Sequence, residues 1–148
     1  MEVRYVSLQS KLEIADPSIK DGIKEILALD FTSQKTKFVV DPDFHDWTKE
    51  NIEFAEVLYK NYLYLCLKYP DEKRLPPSTD VDDFWHGHIL DTRRYSDDCQ
   101  RIFGRMLHHN PYFGFGSAKA ETALADGFTV TQQLHEHEFG APIFEVRH

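Results

Sequence analysis

The stretch that decides the fold is Val81-Asp82-Asp83-Phe84-Trp85-His86-Gly87-His88-Ile89-Leu90-Asp91-Thr92-Arg93-Arg94-Tyr95-Ser96-Asp97-Asp98-Cys99. Placed on a helix at ~100° per residue, it puts Val81, Phe84, His88, Asp91, Tyr95, Cys99 and Ile102 on one face, with Met106 and His109 at its end. The spacing predicts one long helix over residues 79–108. Ser78 or Thr79 caps it, and Asp80, Asp82 and Asp83 occupy the first turn, where the helix dipole favours negative charge. Asn110-Pro111 ends it.

Working outward, Leu75-Pro76-Pro77 is a rigid connector from a second long periodic segment, residues 43–69. There Trp47, Ile52, Phe54, Ala55, Leu58, Tyr59, Tyr62, Leu63, Leu65 and Cys66 make a stripe so wide that the helix must sit deep in its bundle. Asp16-Pro17-Ser18 opens an earlier helix that runs to about Asp30. Phe38-Val39-Val40 is a short apolar run before the breaker Asp41-Pro42. Ser117 caps a last helix, which Gly140-Ala141-Pro142 closes. Residues 1–15 alternate loosely and read as a strand or an irregular arm, and Ile143-Phe144-Glu145-Val146 as a short strand. The expected fold is mainly α: a compact bundle of about four principal helices in one domain over residues 1–148, with a small β element from the ends.

The 148 residues carry 25 acidic and 17 basic side chains, a formal net charge of -8, which repels phosphate backbones and argues against nucleic acid as a partner. No apolar run is long enough to span a membrane. Two cysteines make no disulfide framework, and the first residues, Met1 to Ile14, show no basic-then-apolar leader pattern, so a soluble cytoplasmic protein is expected. HExxH, paired CxxC, EF-hand and Gly-rich phosphate-loop patterns are all absent.

What stands out is eight histidines, six of them in the close pairs His86/His88, His108/His109 and His135/His137. A helix face that mixes Val, Phe and Ile with His, Asp, Tyr and Cys needs partners for its polar groups, because burying one unpaired costs roughly 2–7 kcal/mol. Two readings remain open. In the first, His88 and Asp91 ligate zinc or iron, with His109, or His135 or His137 from the last helix, as a third ligand; a two-His-one-carboxylate set leaves positions open for chemistry. His86 with His108 is a second grouping. In the other, the cluster is a buried hydrogen-bond network that fixes helix register. His86 and His88 diverge on a continuous helix, so both reach one metal only if Gly87 breaks it. His135 and His137 read most simply as a solvated helix end, Cys99 as a small buried hydrophobe, and His45 and His148 as exposed.

The same residues carry a family resemblance. The pieces Tyr62-Leu63-Tyr64-Leu65, Tyr69-Pro70, Pro77-Ser78, Asp80-Val81-Asp82, Phe84-Trp85-His86-Gly87-His88-Ile89-Leu90-Asp91, Tyr95, Asp98-Cys99, Phe103-Gly104 and His108-His109, over about residues 38–114, resemble the glycine-rich domain-containing proteins of plants and bacteria. The domain has no settled activity. The resemblance implies a shared motif that includes His86, His88, Asp91, Tyr95, Asp98, Cys99 and His108. RNA binding, suggested for the larger plant proteins with their glycine-rich tails, fits poorly with the net charge of -8.

Together these readings give a small His-rich metal-binding protein, an enzyme of undefined substrate or none. His86, His88, Asp91, His108 and His109 are the candidate ligands for zinc or iron. Tyr95 is the candidate hydrogen-bond donor behind a ligand or proton relay, and Asp98 the group that orients a histidine. The partner would be a small molecule or a protein. The alternative is a noncatalytic interaction module whose Phe113/Phe115 loop meets a partner.

Overall fold

A computed structural model describes residues 4–41, 43, 46–70 and 75–147. It is mainly α, as expected, but the chain divides differently. Seven helices are described: α1 (Leu8–Ile14), α2 (Pro17–Leu27), α3 (Thr32–Val40), α4 (Lys49–Lys68), α5 (Thr79–Leu90), α6 (Thr92–Phe103) and α7 (Ala118–Phe139).

The centre is α4, which touches α1, α2, α3, α5 and α7. Its five consecutive residues Asn61 to Leu65 are all buried, which leaves no solvent face along that turn. Tyr69-Pro70 follows it, and the helix ends one residue before that pair. Around α4, α2 lies against α6 so closely that a Cβ on Gly22 would stand 2.7 Å from Leu67 and 2.8 Å from the Ile102 carbonyl. Capping follows the sequence: Asp16, Thr48, Ser78 and Ser117 each accept a backbone N–H of the first turn.

Three expectations need correction. The N-terminal arm contains a helix rather than a strand, because Ser7 caps it through the Ser10 N–H and Leu8 and Leu12, four apart, both turn to the core. No strand is described among these residues, and residues 143–146 hydrogen-bond to side chains instead of to another strand. Gln132 exchanges hydrogen bonds of 2.7 and 2.9 Å with the Ile143 N–H and C=O, and Asp80 accepts from the Val146 N–H at 2.6 Å. Ile143 and the Val146 N–H thereby find partners without a sheet.

The third correction sets up the site. The single helix expected over 79–108 is two helices, broken at Asp91 (φ -84°, ψ 72°), and it ends early at Gly104, whose φ of 70° is the left-handed turn that favours glycine. Residues ten apart on a straight helix are separated by about 15 Å along its axis. Across the break two such pairs touch: His88 Nε2 lies 2.8 Å from Asp98, and the Trp85 indole N–H donates to the Tyr95 hydroxyl at 2.9 Å. The helix remains unbroken through Gly87, where a Cβ would fall 2.4 Å from the Phe38 ring; glycine lets α5 approach α3.

Candidate functional site

His86 and His88 leave α5 on opposite sides. His88 is 2 % exposed and both its ring nitrogens are used. Nδ1 is 2.7 Å from the Tyr59 hydroxyl and Nε2 is 2.8 Å from Asp98 Oδ2. One neutral tautomer serves both: Nε2–H donates to the carboxylate and Nδ1 accepts from Tyr59. Burial, the largest influence, pushes the imidazole below its ordinary pKa of 6.5, against the opposing pull of Asp98. The other Asp98 oxygen accepts from Arg101 at 2.5 Å. Phe31, Tyr59 and Tyr95 all meet the His88 ring edge-on at 4.8–5.7 Å. Asp98 thus orients a histidine, and that histidine has no lone pair left to offer.

On the outer side, Asp82 and His86 lie one turn apart on α5, and His109 comes to them from the loop after α6. His109 Nε2 is 2.6 Å from Asp82 Oδ1 and 3.1 Å from His86 Nε2, while His86 Nε2 is 3.6 Å from Asp82 Oδ2. All three ligand atoms fall within 4.8 Å of one another, the one such group among the described residues. The position of His109 depends on a short relay. Trp85 donates to the Tyr95 hydroxyl, Tyr95 donates to the Leu107 carbonyl, and the Trp85 ring meets the His109 ring edge-on at 4.5 Å. Tyr95 is buried, and burial foremost raises its phenol above the ordinary value of 10.0, so it acts as a hydroxyl donor.

The structure therefore brings together two of the expected ligands, His86 and His109, and separates the others. His88 sits in the buried network. Asp91 is exposed at the break, where its N–H bonds the His88 carbonyl. His108 is exposed beside His109. With α5 continuous at Gly87, His86 and His88 do not meet one ion. Asp82 is the residue the sequence reading missed as a ligand, having been placed in the first helical turn and within the family resemblance but in neither ligand grouping; its i, i+4 spacing to His86 was the available signal.

His135, read as part of a solvated helix end, is instead fully buried. Its Nδ1 lies 2.6 Å from the Ala141 carbonyl and its Nε2 3.2 Å from Asn61. His137 is exposed. His45 and His148 lie outside the described residues.

A cavity of about 500 Å³ opens beside the triad, with Asp82 and His109 in its wall.

The chain matches the UCP032817-like family over residues 23–134, from α2 into α7, a span that holds both polar clusters. The chain belongs to the UCP032817-like family. It is also similar to glycine-rich domain-containing protein 1 of Arabidopsis thaliana, 34% identical over 94 residues. That similarity covers 60% of this chain and 11% of the plant protein, so the family domain seen here corresponds to a small part of that relative. No solved structure matches.

Proposed function

We propose that Asp82, His86 and His109 hold one divalent transition metal, zinc or iron(II), at the edge of the 500 Å³ cavity, and that a small molecule binds there. The observation that carries this reading is the convergence of three ligand atoms on one point. His109 Nε2 faces both a carboxylate and a second Nε2, and a single proton on that nitrogen cannot lie along both contacts. A divalent cation answers all three.

The distances support the same reading. Ligands about 2.1 Å from one ion lie about 3.0–3.4 Å apart, and these atoms are 2.6, 3.1 and 3.6 Å apart. Shifts of a few tenths of an ångström in flexible side chains close the difference. Two imidazoles and one carboxylate suit zinc or iron(II) and leave coordination positions open. Of the two supporting residues proposed from sequence, Tyr95 becomes a positioning residue for the loop that carries His109, and Asp98 orients the buried His88 rather than a ligand.

The test is metal uptake by chelator-stripped protein given zinc or iron(II), measured by elemental analysis. Near one ion per chain is expected, falling to background in His109→Ala while the circular dichroism spectrum holds. Uptake equal in the two proteins would overturn the assignment. A second reading, a noncatalytic interaction module, draws support from Tyr112 and Phe115, which are 76% and 80% exposed.

A further inference from the structure

The cavity beside the triad has its own chemistry. At about 500 Å³ it lies in the range that holds small ligands. One side is rings and branched carbons: Tyr62, Trp85, Leu107, Phe113 and Leu124. The polar tips of its two most buried aromatics are already engaged, Tyr62 donating to the Leu75 carbonyl and Trp85 to Tyr95, so both offer ring surface.

Among the described lining residues the charged groups are few and one of them is a cation. In a protein of net charge -8, Asp82 is the one carboxylate among the described lining residues, and its oxygens face His86 and His109. Arg105 and His108 also line the cavity, and neither has a hydrogen-bond or ion-pair partner among the described residues. Cys66 lines the same cavity. Burial pushes the Cys66 thiol up to about 12, so it is neutral and does not repel an anion.

We infer that the cavity binds a small carboxylic acid with an aromatic or branched apolar body, its carboxylate held by the Arg105 guanidinium and its body on the ring wall. The inference rests on the metal reading above for one part only, the added positive charge at the Asp82/His109 end. A guanidinium with no hydrogen-bond or ion-pair partner among the described residues, beside an apolar wall, is suited to a carboxylate, which it can meet with two parallel hydrogen bonds. Tyr62 and Trp85 can lie against a planar body.

The test titrates the whole chain, zinc-loaded and chelator-stripped, with benzoate, 3-phenylpropionate and indole-3-acetate and with the matching neutral primary amides. The chain has two tryptophans, Trp47 and Trp85, so the Trp85 indole N–H resonance reports the cavity and that of Trp47 serves as a control. The expected result is that at least one acid binds at least about tenfold tighter than its amide. It shifts the Trp85 signal, binds tighter still with zinc, and loses its advantage over the amide in Arg105→Gln. Arg105 is exposed, so that variant keeps its fold and its zinc.

Acids and amides of equal affinity, a preference that survives Arg105→Gln, or no acid bound at up to about 10 mM by protein that takes up zinc would each overturn the carboxylate site and leave the metal reading standing. Failure to take up zinc, with an Arg105-dependent acid preference intact, would overturn the metal reading and its share in this site alone.

Discussion

His86 and His88 are two residues apart on one helix and have opposite surroundings. His88 looks inward: each ring nitrogen has one partner, and that partner is itself held by the surrounding structure. Among the described residues no buried side-chain nitrogen or oxygen lacks a hydrogen bond. Such a network is complete, and its completeness makes it structural. His86 looks outward to a second histidine and a carboxylate, a set that hydrogen bonds alone serve poorly. The difference is geometric. A helix turns ~100° per residue, so positions two apart face nearly opposite directions, and α5 turns His88 to the core and His86 to the outer surface.

The sharpest way to break this contrast is to remove one member of the buried network. Asp98→Ala leaves the His88 N–H without an acceptor in the core. Stability should fall by about 3 kcal/mol, as for a buried group hydrogen-bonded to a charge, read by urea denaturation, while metal uptake persists in the folded fraction. A loss under about 0.5 kcal/mol would mean the network is not structural.

Gly87→Ala tests the packing between the two histidines. The new methyl meets the buried Phe38 ring at 2.4 Å and should cost about 1–3 kcal/mol, again with metal uptake retained. Tyr95→Phe touches both sides at once. It leaves the Leu107 carbonyl without its donor, costs about 1 kcal/mol, and by loosening the loop of His109 should weaken metal binding about tenfold. An unchanged metal affinity would remove Tyr95 from the positioning role.

The smallest effect is in the pH dependence. Burial, first of all, lowers His88 and His135 below 6.5, so the unfolded chain binds more protons than the folded one below that pH. Stability contributed by these neutral imidazoles is complete above about pH 6.5 and is lost as the pH falls below it. His135→Gln should flatten the slope of stability against pH between 5 and 6.5 by at most about 1.4 kcal/mol per pH unit, and an unaltered slope would mean His135 is charged when buried. Glu138 behaves as the acidic counterpart. Burial raises it, but hydrogen bonds from Lys68 and Tyr69 overcome this and hold it at about 2. Its contribution is present above the ordinary value of 4.5 and is lost as the pH falls toward 2.

Much of this was legible in the residues. The buried run of α4, the caps at Asp16, Ser78 and Ser117, and the inward face of Val81, Phe84 and His88 follow from periodicity and capping chemistry. The break at Asp91 did not follow. No proline or glycine marks it; it is set by the tertiary pairing of His88 with Asp98 and of Trp85 with Tyr95, which a local pattern does not contain. A straight helix over 79–108 leaves His109 far from Asp82, so the triad was hidden by the same error. His135 was misjudged for a related reason: its partners Asn61 and Ala141 come from a distant helix and from the turn after its own.

The central claim is that His86 serves a metal and His88 serves the fold. The direct measurement is zinc stoichiometry and thermal midpoint, taken together, on His86→Ala and His88→Ala. The account predicts that His86→Ala loses zinc and keeps the metal-free midpoint, and that His88→Ala melts well below wild type and still takes up zinc below its transition. Zinc lost from a stable, folded His88→Ala and retained by His86→Ala would contradict it.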